Sequence, residues 1–184
     1  MIITITGKPC SGKGSISKYL CDKYNFEYIC TGDMFRELSK KYGYQNILHF
    51  QKAHDKIKEI DKIIDNKIEQ IGKTRIDEDI IIDSRLAWHF IPNSFKVFVD
   101  IDWDTAADRL LKSNRETENV QSLSSAKQTL IDRWDTENNR YQELYKTDNT
   151  NMKNYDLVIN SDQTIENLSE KIYKEYKKFI KKWI

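Results

Sequence analysis

The nine residues Gly7-Lys8-Pro9-Cys10-Ser11-Gly12-Lys13-Gly14-Ser15 have the types and spacing that phosphate chemistry uses. Glycines let the backbone curl so that several N–H groups converge, and Lys13 adds a mobile full charge for outer phosphates. The stretch follows a β-branched run, Ile2-Ile3-Thr4-Ile5-Thr6, and opens into the amphipathic Ile16-Ser17-Lys18-Tyr19-Leu20. Strand, glycine-bounded turn and helix form the context in which such a loop holds a nucleoside triphosphate, because the helix N-terminus adds its positive dipole end. An ordinary glycine-rich turn seldom has both flanks. Gly14 stands where the strict pattern places a Ser or Thr on Mg²⁺, and the hydroxyl comes one residue later, at Ser15. That order predicts Mg²⁺ carried on phosphate oxygens and waters, with a carboxylate elsewhere steering those waters.

A triphosphate cradle leaves open what receives the phosphoryl group. A guanine-reading Asn-Lys-x-Asp stretch is the mark of a GTPase, and the nearest string, Asn66-Lys67-Ile68-Glu69, fails at its last position. Transfer between two anionic substrates needs cations to gather several phosphates and needs water excluded. Arginine's planar fork suits phosphate oxygens. Arg36 follows the second strand, Arg85 lies just past Asp83, Arg115 and Arg133 flank a polar stretch, and Arg140 shares a helix face with Arg133 seven residues earlier. Asp83 closes a continuous apolar run, the place where open α/β sheets present ligand groups. Asp61, Asp65 and Glu69 recur every four residues, either as a solvated stripe paired with Lys58 and Lys62 or with one or two carboxylates facing a ligand.

The elements that must position these residues follow from periodicity. Strands are expected at Ile2–Thr6, 26–30, 79–83, 95–101 and 155–160. Helices are expected after the loop, from Thr31, over 46–71 with Ile57, Ile60, Ile64, Ile68 and Ile71 on one face, over 104–113, over about 124–145, and from 164 to near 183. The alternation predicts a three-layer α/β/α sandwich around five parallel strands. The stretch 115–125 is polar and aperiodic and is expected to be a mobile loop. In the last helix Ile172, Tyr176, Phe179, Ile180 and Trp183 are expected inside, and its lysines form a solvated face.

With 184 residues, one domain is expected. Thirty Lys and Arg against 29 Asp and Glu give a formal charge of +1, which argues against a nucleic-acid or polybasic membrane surface. A mean hydropathy of −0.72 leaves no room for a membrane span. The first strand begins at once, so a cytoplasmic protein without a leader is expected. Cys10, Cys21 and Cys30 have no metal-ligand spacing and read as free thiols, Cys21 and Cys30 as small buried groups. Cys10 lies near a helix N-terminus, where it is either a redox-sensitive thiol or simply a tolerated small residue.

Thr31-Gly32-Asp33-Met34-Phe35-Arg36 resembles the monophosphate-binding segment of the adenylate kinase superfamily. Taken with Ile60-Asp61-Lys62-Ile63-Ile64-Asp65, Asp83-Ser84-Arg85-Leu86-Ala87 and Arg140-Tyr141-Gln142-Glu143-Leu144-Tyr145, the chain resembles the archaeal-type cytidylate kinases over essentially its full length. The resemblance implies a P-loop NTPase fold with a core of 1–30, 75–112 and 155–184, a helical monophosphate-binding segment at about 31–74 and a short lid at about 113–135. It implies an ATP- and Mg²⁺-dependent (d)CMP kinase that works on small nucleotides, as a monomer. By the same resemblance the loop from Gly7 to Ser15 holds ATP, and Thr31, Asp33, Arg36, Asp61 and Arg85 hold the acceptor. Lys13, Arg85, Arg115, Arg133 and Arg140 stabilise the transferring group, and Asp83 acts on Mg²⁺ through water. Asp61 and Asp65 are the carboxylates that could meet a cytosine amino group. Other readings are another acceptor, namely AMP, UMP or a non-nucleotide, and an ATP-binding regulatory protein without turnover. Two places depart from the family pattern: Pro9-Cys10-Ser11 stands for its Pro-Gly core, and Ser84 stands for a glycine between Asp83 and Arg85, which predicts a slightly different turn.

Overall fold

The computed structural model of the chain describes residues 1–43, 54–113 and 122–182. Five strands, β1 (Ile3–Gly7), β2 (Glu27–Cys30), β3 (Ile80–Asp83), β4 (Phe95–Asp100) and β5 (Leu157–Asn160), form one sheet in the order β2-β3-β1-β4-β5. Every pairing is parallel; Ile5 of β1 lies opposite Asp83 of β3 and Val97 of β4. All residues of β1 and β3 are buried, as expected for strands covered on both faces.

The covering helices are α1 (Lys13–Tyr24), α2 (Thr31–Lys41), α3 (His54–Thr74), α4 (Ala87–Phe90), α5 (Trp103–Lys112), α6 (Leu123–Tyr145) and α7 (Ile165–Ile180). Successive strand residues point to opposite faces. Ile3, Ile5 and Ile81 therefore pack with Ile16, Leu20, Leu168, Ile172 and Tyr176 of α1 and α7, while Ile80 and Ile82 pack with Ile60, Ile64 and Ile68 of α3. These two cores lie on opposite faces of the sheet, which is the middle layer of the expected α/β/α sandwich. A third cluster, Leu86, Trp88, Phe98, Trp134, Tyr141 and Tyr155, seats α6 against the carboxyl end of the sheet.

Several boundaries move. Phe26 precedes β2 because its amide closes α1 on the Cys21 carbonyl, and Asp79 precedes β3 while its carbonyl accepts from Glu27. Gly72 lies inside α3, where an added Cβ would come within 2.8 Å of Ile91. Tyr155 follows a 3₁₀ turn at Met152–Asn154, so β5 begins later than expected. Phe179 and Ile180 are only partly buried. Cys30, the last residue of β2, is also only partly buried; Cys21 is buried as expected. The first part of the expected 46–71 helix, most of the polar 115–125 stretch, and Trp183 lie outside the described residues.

Connections from β1 run toward β2, and those from β3 run toward β4. The crevice between the carboxyl ends of β1 and β3 is thus the point where the winding reverses, and open α/β sheets bind ligands there. The glycine loop and the Asp83–Arg85 turn are the two connections that leave it.

Candidate active site

The loop between β1 and α1 takes its shape from three backbone positions. Gly7 has φ +153°, and a Cβ there would sit 2.2 Å from the Val99 carbonyl oxygen, so only glycine lets the chain pass β4 this closely. Gly12 has φ +83°. Cys10 has φ +60°, a left-handed conformation that costs a non-glycine residue about 1 kcal/mol. The first-turn amides of α1, those of Lys13, Gly14 and Ser15, have no acceptor within the helix and point toward its N-terminal end.

Lys13 Nζ lies 2.8 Å from Asp83 Oδ1, and Tyr28 Oη donates to Asp83 Oδ2 at 3.3 Å. Asp83 is 4% exposed. Gly14 permits this arrangement: a Cβ there would lie 3.2 Å from Asp83 Oδ2. The late hydroxyl order of the loop thus has a physical reason in this chain, since the residue after Lys13 faces a buried carboxylate. Ser84 accepts from the amides of Leu86 and Ala87 at 3.2 Å, just ahead of α4. Its φ is not left-handed, and the turn is closed by these side-chain-to-backbone hydrogen bonds.

Beyond Asp83 a cavity of about 710 Å³ opens between α2, α3 and α6. Arg36, Arg85, Arg133 and Arg140 line it, with Asp61, Asp65 and Glu137 among them. Glu137 is the hub. Its Oε2 accepts from Arg85 Nε at 2.7 Å and its Oε1 from Arg133 Nε at 3.0 Å. Burial alone would raise its pKa, but Arg85, Arg133 and Arg140 outweigh that and hold it down at about 2. Arg85 also donates to the Gly7 carbonyl, tying the β3 turn to the glycine loop. Arg140 Nε lies 2.6 Å from Asp61 Oδ2. Burial opposes the Arg140 charge, yet Tyr141, Asp61 and Glu137 together raise its pKa. Burial is also the main cause of the rise at Asp61, which Arg140 only partly offsets. Asp65 accepts from Tyr145 Oη at 2.5 Å.

The structure therefore brings Arg85, Arg133, Arg140 and Asp61 together and places Arg36 on the same cavity. Asp33 pairs with Arg36 on the exposed side of α2. Thr31 donates to the Asp83 carbonyl at 3.4 Å. The acidic stripe divides: Asp61 and Asp65 face the cavity, Glu69 pairs with Lys73 on the surface, and Lys58 pairs with Glu143. Lys8 turns from the loop's centre, with its Nζ 2.7 Å from Asp100 Oδ1 and its amide on the Val99 carbonyl. Arg115 lies outside the described residues. Sequence reasoning missed Glu137 and Arg109. Arg109 braces the loop from α5 through the Cys10 carbonyl at 3.3 Å and the Ser161 hydroxyl at 2.7 Å. A signal for Glu137 existed: it lies four residues after Arg133 and three before Arg140, on their helix face.

A parallel sheet wound this way, with a glycine loop and lysine facing a buried aspartate across from an arginine-rich cavity, defines a phosphoryl-transfer P-loop protein. Residues 2–163 match the cytidylate kinase-like family, and the chain belongs to it. A cytidylate kinase of Methanocaldococcus jannaschii is 33% identical over 88% of each chain. A protein of Lacinutrix mariniflava named S-adenosylmethionine-dependent nucleotide dehydratase is 34% identical over 96% of this chain, which spans only 36% of that longer protein. Among solved structures, shikimate kinase of Bacteroides thetaiotaomicron superposes with a TM-score of 0.67 at 13% identity, covering 96% of this chain and 98% of its own. At that identity the likeness shows the fold alone. Family and fold make the chain a nucleotide-binding kinase.

Proposed function

We propose that the chain transfers the γ-phosphoryl group of ATP to CMP or dCMP, giving CDP or dCDP and ADP. The observation that carries this reading is the cavity itself: arginines on three separate elements converge beside Lys13 and Asp83, as two polyanionic substrates meeting end to end require. Lys13 and the loop amides hold the donor phosphates. Arg36 and Arg85 hold the acceptor phosphate, with Thr31, Asp33 and Asp61 around it. Arg133 and Arg140, with Arg115, stabilise the transferring group. No general base is needed, since the acceptor phosphate is a nucleophile near neutral pH. The segment 31–74 serves the monophosphate, 113–135 serves as the lid, and 1–30, 75–112 and 155–184 are the core of a monomeric enzyme.

The residues fit Mg²⁺ delivered with ATP. Among the described residues no cluster of three or more His, Cys, Asp or Glu could hold a metal ion by itself. Asp83 is a single buried carboxylate beside Lys13, the kind of group that orients the waters of a cation carried by phosphates. Bound there, Mg²⁺ would supply charge neutralisation between donor and acceptor. Among the described residues no helix is long and apolar enough to cross a membrane.

The names of both curated relatives concern nucleotides, which favours a nucleotide acceptor over the small acid named for the shikimate kinase neighbour. The test is ADP release with ATP, Mg²⁺ and each ribo- and deoxynucleoside monophosphate in turn. CMP or dCMP is expected to be the best acceptor. Turnover of shikimate or another non-nucleotide alone, or ATP binding without turnover of any monophosphate, would sink the proposal.

A further inference from the structure

We propose that Asp65, held by Tyr145 in the cavity wall, reads the pairing edge of the acceptor base and favours a pyrimidine with an exocyclic amino group. The proposal rests on the kinase reading above and adds the residue that makes the choice. Asp61 and Asp65 are both in the wall, but they are not equivalent. Asp61 is committed to Arg140 at 2.6 Å. Asp65 engages only Oδ2, with Tyr145, and its Oδ1 has no partner among the described residues. Asp65 lines the cavity half-buried, and a carboxyl oxygen there without a protein partner is matched by a donor on the ligand.

The chemistry discriminates. An ionised carboxylate only accepts, so it takes the amino hydrogens of cytosine and repels the carbonyl oxygen that uracil has in their place. A protonated carboxyl both donates and accepts, and that pair complements the edge of either base. The protonation state of Asp65 therefore sets the strictness of the choice. Burial pushes its carboxyl up to about 7; Asp61 adds to the rise, while the Tyr145 hydrogen bond and Arg140 oppose it. Other charged groups around the cavity are Arg36 of α2, Arg85 of the β3 turn, and Asp132, Arg133 and Glu137 of α6, while Glu69 of α3 pairs with Lys73 and Glu143 of α6 with Lys58. His89 of α4 lies beside the Tyr145 ring, its pKa lowered by burial.

The experiment is the ratio of kcat/KM for CMP to that for UMP between pH 5.5 and 8.5. The two substrates share one phosphate group, so its titration cancels in the ratio. In the unaltered protein the ratio is expected to rise about tenfold or more with pH, through a midpoint near 7, chiefly through KM. Asp65→Asn, which carries a donor and an acceptor at every pH, is expected to give a low and flat ratio. Tyr145→Phe removes the bond that favours the carboxylate and is expected to move the midpoint to higher pH. A flat ratio in the unaltered protein, or an Asp65→Asn enzyme that keeps both ratio and profile, overturns the inference while leaving the kinase reading intact. Failure to phosphorylate any nucleoside monophosphate overturns the kinase reading, and this inference with it.

Discussion

Lys13 is held ready by a residue that is itself held. Asp83 is nearly inaccessible, and at 2.8 Å its carboxylate fixes the ammonium above the first turn of α1 before any substrate arrives. Charge that is already oriented needs no reorganisation as the phosphoryl group moves, and electrostatic preorganisation of this kind dominates phosphoryl transfer. Lys13→Ala is expected to lower kcat on the order of 10²-fold or more, measured as steady-state ADP release. At the same scale Cys10 acquires a physical description. It occupies a left-handed position with its carbonyl on Arg109, a strained place in which glycine would rest without cost.

The loop and helix act as one element because the loop cannot move away from β4. The Lys8 amide bonds the Val99 carbonyl, Lys8 Nζ reaches Asp100, and Arg109 of α5 holds the far side. Gly7 is the hinge of this close pass. Gly7→Ala would press a methyl group against the Val99 carbonyl and force a backbone shift, misdirecting the amides that follow. The expected result is a lower Tm and an increase of tenfold or more in the KM for ATP, seen by thermal melts and by kinetics at saturating acceptor. On α3, periodicity alone left the acidic stripe open between solvent and ligand. The answer came from rotation: the face that buries Ile60, Ile64 and Ile68 carries Asp61 and Asp65 to the cavity and leaves Glu69 outside.

At the scale of the whole molecule, Glu137 joins the β3 turn to α6 across 52 residues of chain. Its pKa is held at about 2 against a usual value of 4.5, so its stabilisation is complete above about 4.5 and is lost as pH falls toward 2. Glu137→Gln is expected to cost about 2 kcal/mol at pH 7, less than a fully enclosed pair because Arg133 reaches solvent. Thermal melts are expected to show a Tm lower by roughly 4–8 °C, with the gap to the unaltered protein closing in acid. The same variant is expected to weaken acceptor binding, since Arg85 and Arg133 lose the group that spaces them.

Unlike the order of the strands, the glycine loop, the five strands, their parallel direction and the carboxylate at the end of β3 were all legible in the sequence. They are local: a β-branched run, a glycine spacing or a 3.6-residue period is written in consecutive residues. The family resemblance named Arg36, Arg85 and Arg140 for the same reason, since each stands in a short motif, and set Arg133 with Arg115 in the lid. Only the tertiary structure decided that Glu137 ties two of those arginines together, that Asp61 lies on Arg140, and that Lys8 belongs to Asp100 rather than to the loop's centre. Those outcomes depend on how α3 and α6, far apart in the chain, rotate as their apolar faces find the sheet. A side chain's partner across that gap is set by packing, which no spacing within one segment encodes.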